Sequence, residues 1–128
     1  MCIRDRLSTS PCHRRLRALE SSGVISGYRA QVDPLSLGLT FEALVLVTMN
    51  AADRATVDAF EEAVTAVPQV VQAQRLFGDP DYLLRVLARD LPAYQDVYDR
   101  HIATLPGVQR LRSTLVMKSV VEDRPLPL

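Results

Sequence analysis

The sequence predicts an α+β domain of β-α-β-β-α-β order, running from about Phe41 to the C-terminus. Three observations predict it. Four apolar runs of strand length occur, at 41–49, 70–77, 82–88 and 108–117. Two intervening stretches repeat their apolar residues at helical spacing. Only Gly78-Asp79-Pro80-Asp81, a turn by composition, separates the second run from the third, so those strands must be antiparallel neighbours.

The elements follow in order. Phe41 to Met49, FEALVLVTM, is rich in Val and Leu and reads as a buried strand. Asp53 begins a helix whose apolar positions are Val57, Phe60, Val64 and Val67, and Pro68 closes it. Val70 to Phe77 is the second strand and Tyr82 to Ala88 the third. Leu91-Pro92 opens a second helix with Tyr94, Val97, Tyr98, Ile102 and Leu105 as its core stripe, and Pro106-Gly107 stops it. Val108 to Met117 is the fourth strand. Right-handed crossovers on either side of a hairpin give a ferredoxin-like arrangement, a four-stranded antiparallel sheet with both helices on one face. The other face keeps apolar residues of its own. A second copy of the chain is the natural cover for it, which predicts a homodimer.

Ahead of this domain, residues 8–22 read as a helix. Ser8 or Ser10 can cap its N-terminus, and Pro11 falls in the first turn, where a missing N–H costs nothing. Cys12, Leu16 and Leu19 make one apolar stripe, while His13, Arg14 and Arg17 share another face. Gly23 supplies a left-handed stop. Residues 24–32 read as short extended pieces around a turn, a linker strand. Residues 33–40, DPLSLGLT, read as a hinge. The expected organisation is therefore 1–32, a helix and linker strand; 33–40, the hinge; and 41–128, the main domain.

Composition bounds the function. With 128 residues, 48% apolar and 23% charged, the chain suits one globular core. It has no apolar run long enough for a membrane span and no signal-like N-terminus, which predicts a cytoplasmic protein without a membrane partner. The two cysteines, Cys2 and Cys12, make no metal-ligand pattern with His13 or His101, so neither metal nor cofactor is expected. Nor do two histidines offer an acid–base constellation, and an enzyme is not expected. The zero net charge is uneven: residues 1–35 hold six arginines against three acids, leaving the rest mildly acidic. An anionic partner at the N-terminal end fits that asymmetry.

Three runs together resemble the Lrp/AsnC, or feast/famine, family of transcription regulators. LSTSPCHRRLRALESSGVISGYRAQVDPLSLG is similar to the family's recognition helix and linker strand. RLFGDPDYLLRV resembles its Gly-Asp-Tyr hairpin, and TLPGVQRLRSTLVMKSV its last helix end and strand. The resemblance implies an N-terminal helix-turn-helix that binds double-stranded DNA. It also implies a C-terminal RAM (ACT-like) domain that binds a small effector, typically an amino acid, and mediates dimers and higher homo-oligomers. Family members have two further helices ahead of the recognition helix. MCIRDR does not resemble them, so an N-terminally truncated chain with six extraneous residues is expected. A stand-alone RAM-type sensor without DNA binding is the alternative.

Two sets of residues are then candidate sites. Ser8, Thr9, Ser10, His13, Arg14 and Arg17 suit DNA: hydroxyls and helix-terminal N–H groups bind phosphate, and Arg reads guanine. On the residues alone, a solvated basic helix face explains them as simply. The resemblance assigns them to DNA. Arg75, Phe77, Gly78, Asp79, Asp81 and Tyr82 are the effector candidates. Carboxylates can take an ammonium and turn N–H groups a carboxylate. A plain hairpin turn would use much the same residues. Here too the resemblance implies the site.

Overall fold

The computed structural model describes residues 9–128, which divide into two compact units, one ending at Val32 and one spanning Asp33–Leu128. In the first, helix α1 covers Thr9–Ser21. Gly23, at φ 84°, ends it in the left-handed region, and the Ser22 and Ile25 N–H groups close the last turn on the Ala18 and Leu19 carbonyls. Ser10 lies inside the helix and so does not cap it, while Ser8 falls outside the described residues. Leu16 and Leu19, on the apolar stripe, stay 38% and 41% exposed. Residues 26–33 form no ladder where the sequence predicts a linker strand, since among the described residues no second strand lies alongside to accept their hydrogen bonds. Tyr28 is instead tied back to α1 by its hydroxyl, which donates to Glu20 at 2.9 Å.

The second unit opens with a short 3₁₀ turn, Pro34–Leu37, capped by the Asp33 carboxylate, which accepts from the Leu35 N–H. Its elements are β1 (Phe41–Met49), α2 (Arg54–Thr65), β2 (Val70–Arg75), β3 (Tyr82–Ala88), α3 (Leu91–Val97) and β4 (Val108–Leu115). The sheet order is β2-β3-β1-β4, antiparallel throughout. This is the α+β, ferredoxin-like fold that the sequence predicts. Two details differ. The second helix is not uniform: α3 passes into a π-helical turn at Tyr98–Ile102. And β2 and β4 stop short of Phe77 and Met117, beyond the last residues that pair with β3 and β1.

The core lies between the sheet and the helices. Ala43, Val45, Val47 and Met49 alternate along β1 and point into it, joined by Leu84 and Val86 of β3. Phe60 and Val64 of α2, Tyr94 and Val97 of α3, and Ile102 complete it. Both α2 and α3 begin on an aspartate: Asp53 accepts from the Thr56 N–H and Asp90 from the Ala93 N–H.

Alternation sends Glu42, Leu44, Leu46 and Thr48 of β1 to the opposite face, beside Leu83 and Arg85 of β3 and Arg110 and Arg112 of β4. Neither α2 nor α3 covers this side. Leu44, Leu46 and Leu83 form an apolar strip only half-buried within the chain, and a 2.8 Å ion pair between Arg85 and Glu42 lies at one end of it.

Candidate functional site

At the other end of β1, the β2–β3 loop folds back over the start of α2. Leu76 N–H donates to the Asp81 carbonyl at 2.9 Å, which closes the loop. Asp81 then fastens it to β1 twice. Its N–H donates to the Val47 carbonyl at 2.8 Å, and its Oδ2 accepts from the Met49 N–H at 2.7 Å. The β1–β3 pairing ends at Val47 and Tyr82, so the Asp81 carboxylate takes over as acceptor where the ladder stops.

Between loop and helix lies an open cleft of about 410 Å³. Met49, Ala52 and Val57 give it an apolar floor, and Leu76 and Phe77 an apolar rim. Arg75, Gly78, Asp81 and Tyr82 supply the remaining wall. Arg75 forms no ion pair among the described residues, and Phe77 is fully exposed. Gly78 sits at φ 141°, a backbone state that a side chain would strain. Among the described residues the N–H groups of Phe77 and Gly78 make no hydrogen bond.

The six effector candidates therefore do not all meet. Arg75, Phe77, Gly78, Asp81 and Tyr82 line one cleft. Asp79 lies on the far side of the sheet with Pro80, Leu46, Thr48, Arg110 and Arg112. Tyr82 contributes ring and not hydroxyl: the ring packs against Phe60 with centroids 4.5 Å apart, and the hydroxyl donates to Glu61 at 2.7 Å. Burial, followed by that bond to a carboxylate, pushes its pKa up to about 12. Met49, Ala52, Val57 and Leu76 were not among the sequence candidates. One signal could have found them. In this topology the C-terminal end of β1 and the N-terminal end of β3 are neighbours, so residues just after β1 must adjoin the hairpin.

Of the DNA candidates, Ser10, His13, Arg14 and Arg17 are exposed on α1, while Ser8 and the Thr9 side chain lie outside what is described. Arg14 and Arg17 form no ion pair among the described residues.

Fold and cleft together define a ferredoxin-like α+β module with an open cleft at one end of its central strand, and comparison with known proteins gives its family. Residues 42–126 match the Lrp/AsnC ligand binding domain. The chain belongs to the Lrp/AsnC family of transcription regulators. It is 35% identical over 117 residues to the proline dehydrogenase transcriptional activator of Rhodobacter capsulatus, covering 91% of this chain and 76% of that protein. A transcriptional regulator of Neisseria meningitidis, solved as a complex with L-methionine, superposes with a TM-score of 0.91 at 32% identity, covering 98% of this chain and 81% of that one. The feast or famine regulatory protein of M. tuberculosis, also solved with L-methionine, gives 0.83 at 30% identity, covering 98% and 82%. These relatives are regulators.

Proposed function

We propose that this chain is the effector-binding and self-associating part of a cytoplasmic transcription regulator, acting by differential binding and without catalysis. The observation that carries this reading is the content of one cleft. It holds the guanidinium of Arg75, a carboxylate with one oxygen committed to the chain, and an apolar floor. A free amino acid has the matching parts. Its carboxylate suits Arg75 and the N–H groups of Phe77 and Gly78, its ammonium suits Asp81 Oδ1, and an apolar side chain suits Met49, Ala52 and Val57. The volume also lies within the usual range for small-molecule sites. Support comes from the two relatives solved with L-methionine.

The exposed basic face of α1 is the DNA-facing surface in this reading, with Ser10, His13, Arg14 and Arg17 together with Ser8 and Thr9. The half-buried strip of Leu44, Leu46 and Leu83 takes a second copy. An effector that binds one assembly better than another shifts the population, and with it the spacing of recognition helices on DNA. A thermal-shift screen of the twenty amino acids tests the cleft. At least one should raise the melting temperature, because a ligand of the native state stabilises it by mass action. Twenty unchanged melting temperatures would remove the effector role.

One observation favours a second reading, a sensor module without DNA binding. Leu16 and Leu19, on the apolar stripe of α1, stay 38% and 41% exposed, and an exposed helix of this length is marginal in water. A mobility-shift titration separates the two: retarded DNA that is released by salt supports the regulator.

A further inference from the structure

A second cavity, of about 140 Å³, lies on the sheet face opposite α2 and α3, separate from the cleft. Leu46, Thr48, Asp79, Pro80, Arg110 and Arg112 line it. Strand register explains why four of these meet. Thr48 pairs with Arg110 and Leu46 with Arg112, so their side chains stand in one block on one face. The turn supplies the other two, because Asp81 ties it to the Val47 carbonyl and the Met49 N–H at that end of β1.

The charges in this block do not balance. Arg110 and Arg112 are two residues apart on one strand, about 6.6 Å along it, and both line the same small space. Like charges held this close repel. Asp79 brings a single negative charge, and neither arginine forms an ion pair among the described residues. Nor does the Thr48 hydroxyl make a hydrogen bond among them. The cavity therefore offers an excess of positive charge, a free hydroxyl donor and one carboxylate acceptor.

An anion between the two arginines removes their repulsion, and the planar forks of guanidinium groups match the oxygens of a phosphate. At about 140 Å³ the space falls below the range for drug-sized ligands, which leaves out a nucleotide and admits a phosphate group. Asp79 then decides between oxyanions. An ionised carboxylate only accepts hydrogen bonds. Phosphate and its monoesters carry a proton up to a second pKa of about 6 or above, and can donate it to that carboxylate. Sulfate and a phosphodiester have no proton to donate, so Asp79 repels them. We propose that this sheet-face cavity is a binding site for protonated phosphate, free or as a small monoester. Arg110, Arg112 and the Thr48 hydroxyl hold its oxygens, and Asp79 accepts its P–OH and rejects anions that lack one. The site depends neither on the effector reading of the cleft nor on a second copy of the chain.

The test is isothermal titration of the full chain at about pH 6 in a chloride buffer, with melting curves of the same samples. The probes are inorganic phosphate, glycerol 3-phosphate and sulfate. At least one of the two phosphates should bind saturably, and at least about tenfold more tightly than sulfate, as one hydrogen bond to a charged group implies. The tighter of the two shows whether the site takes the free ion or an ester. Asp79, Arg110 and Arg112 are exposed, so their variants should melt with the wild type when no anion is present. An Arg110→Gln/Arg112→Gln double variant should bind phosphate at least about tenfold more weakly. Asp79→Asn replaces the carboxylate with an amide that can donate, and should bring sulfate within about twofold of phosphate. A wild type in which neither phosphate gives saturable heat or a higher melting temperature overturns the site. So does a double arginine variant that binds phosphate as tightly as the wild type. Sulfate bound by the wild type as tightly as phosphate, or still rejected by Asp79→Asn, overturns the selection assigned to Asp79.

Discussion

Asp81 and Tyr82 are adjacent, yet they serve different parts of the molecule. The Asp81 carboxylate accepts the Met49 N–H where the ladder ends. Asp81→Ala leaves that donor without its partner and should cost about 1–3 kcal/mol in urea denaturation. Asp81→Asn keeps an acceptor oxygen and should cost less. If the two variants were equally stable, the bond would have little weight. Tyr82 is buried, and its hydroxyl bonds Glu61. Its pKa is raised in the folded chain, so its contribution is complete below the ordinary value of 10 and is lost as pH rises towards about 12. Wild type should therefore lose stability more steeply than Tyr82→Phe across that interval. Parallel curves of stability against pH would contradict this. Composition alone made the turn residues legible as a group. It could not show that Asp79 and Asp81 face opposite sides of the sheet, because strand alternation does not extend into a loop.

At the scale of elements, the start of α2 and the end of the second crossover are fitted to each other. Asp53 caps α2 through the Thr56 N–H and hydroxyl. These bonds, that of the Thr56 hydroxyl first, lower the Asp53 pKa, so the cap is complete above the ordinary value of 3.8 and fades as pH falls through the lowered one. Gly107 sits at φ 74°, and a Cβ there would overlap the Thr56 methyl. Gly107→Ala should then destabilise by on the order of 2 kcal/mol, and Thr56→Ser, which removes that methyl and keeps the cap, should restore part of the loss. Thermal melts of the two single variants and the double variant check this, and additive losses would contradict the contact. The elements themselves were legible because apolar spacing differs between strand and helix. The π-helical turn at Tyr98–Ile102 was not, since Tyr98 and Ile102 keep the i, i+4 spacing of an ordinary helix. Nor were Met49, Ala52 and Val57 legible as cleft residues: an apolar side chain looks the same in sequence whether it fills a core or floors a site.

On the scale of the whole molecule, the sheet has one face committed to α2 and α3 and one that carries a half-buried apolar strip. Leu46 stands on the central strand of the uncovered face, between Leu83 on β3 and Arg112 on β4. Leu46→Asp should leave the fold intact, because the site is only half-buried in one chain. It should also convert a dimer into a monomer near the chain mass of 14.2 kDa by light scattering. A variant that stays dimeric would place the interface elsewhere. In the proposed function self-association is what the cleft regulates, so the cleft itself comes first. The most direct test is isothermal titration of the wild type and Arg75→Ala with the amino acid that most raises the melting temperature. The account predicts saturable binding by the wild type and an affinity at least about tenfold weaker in the variant, as loss of one charged hydrogen-bond donor implies. Equal affinities in the two proteins would contradict it.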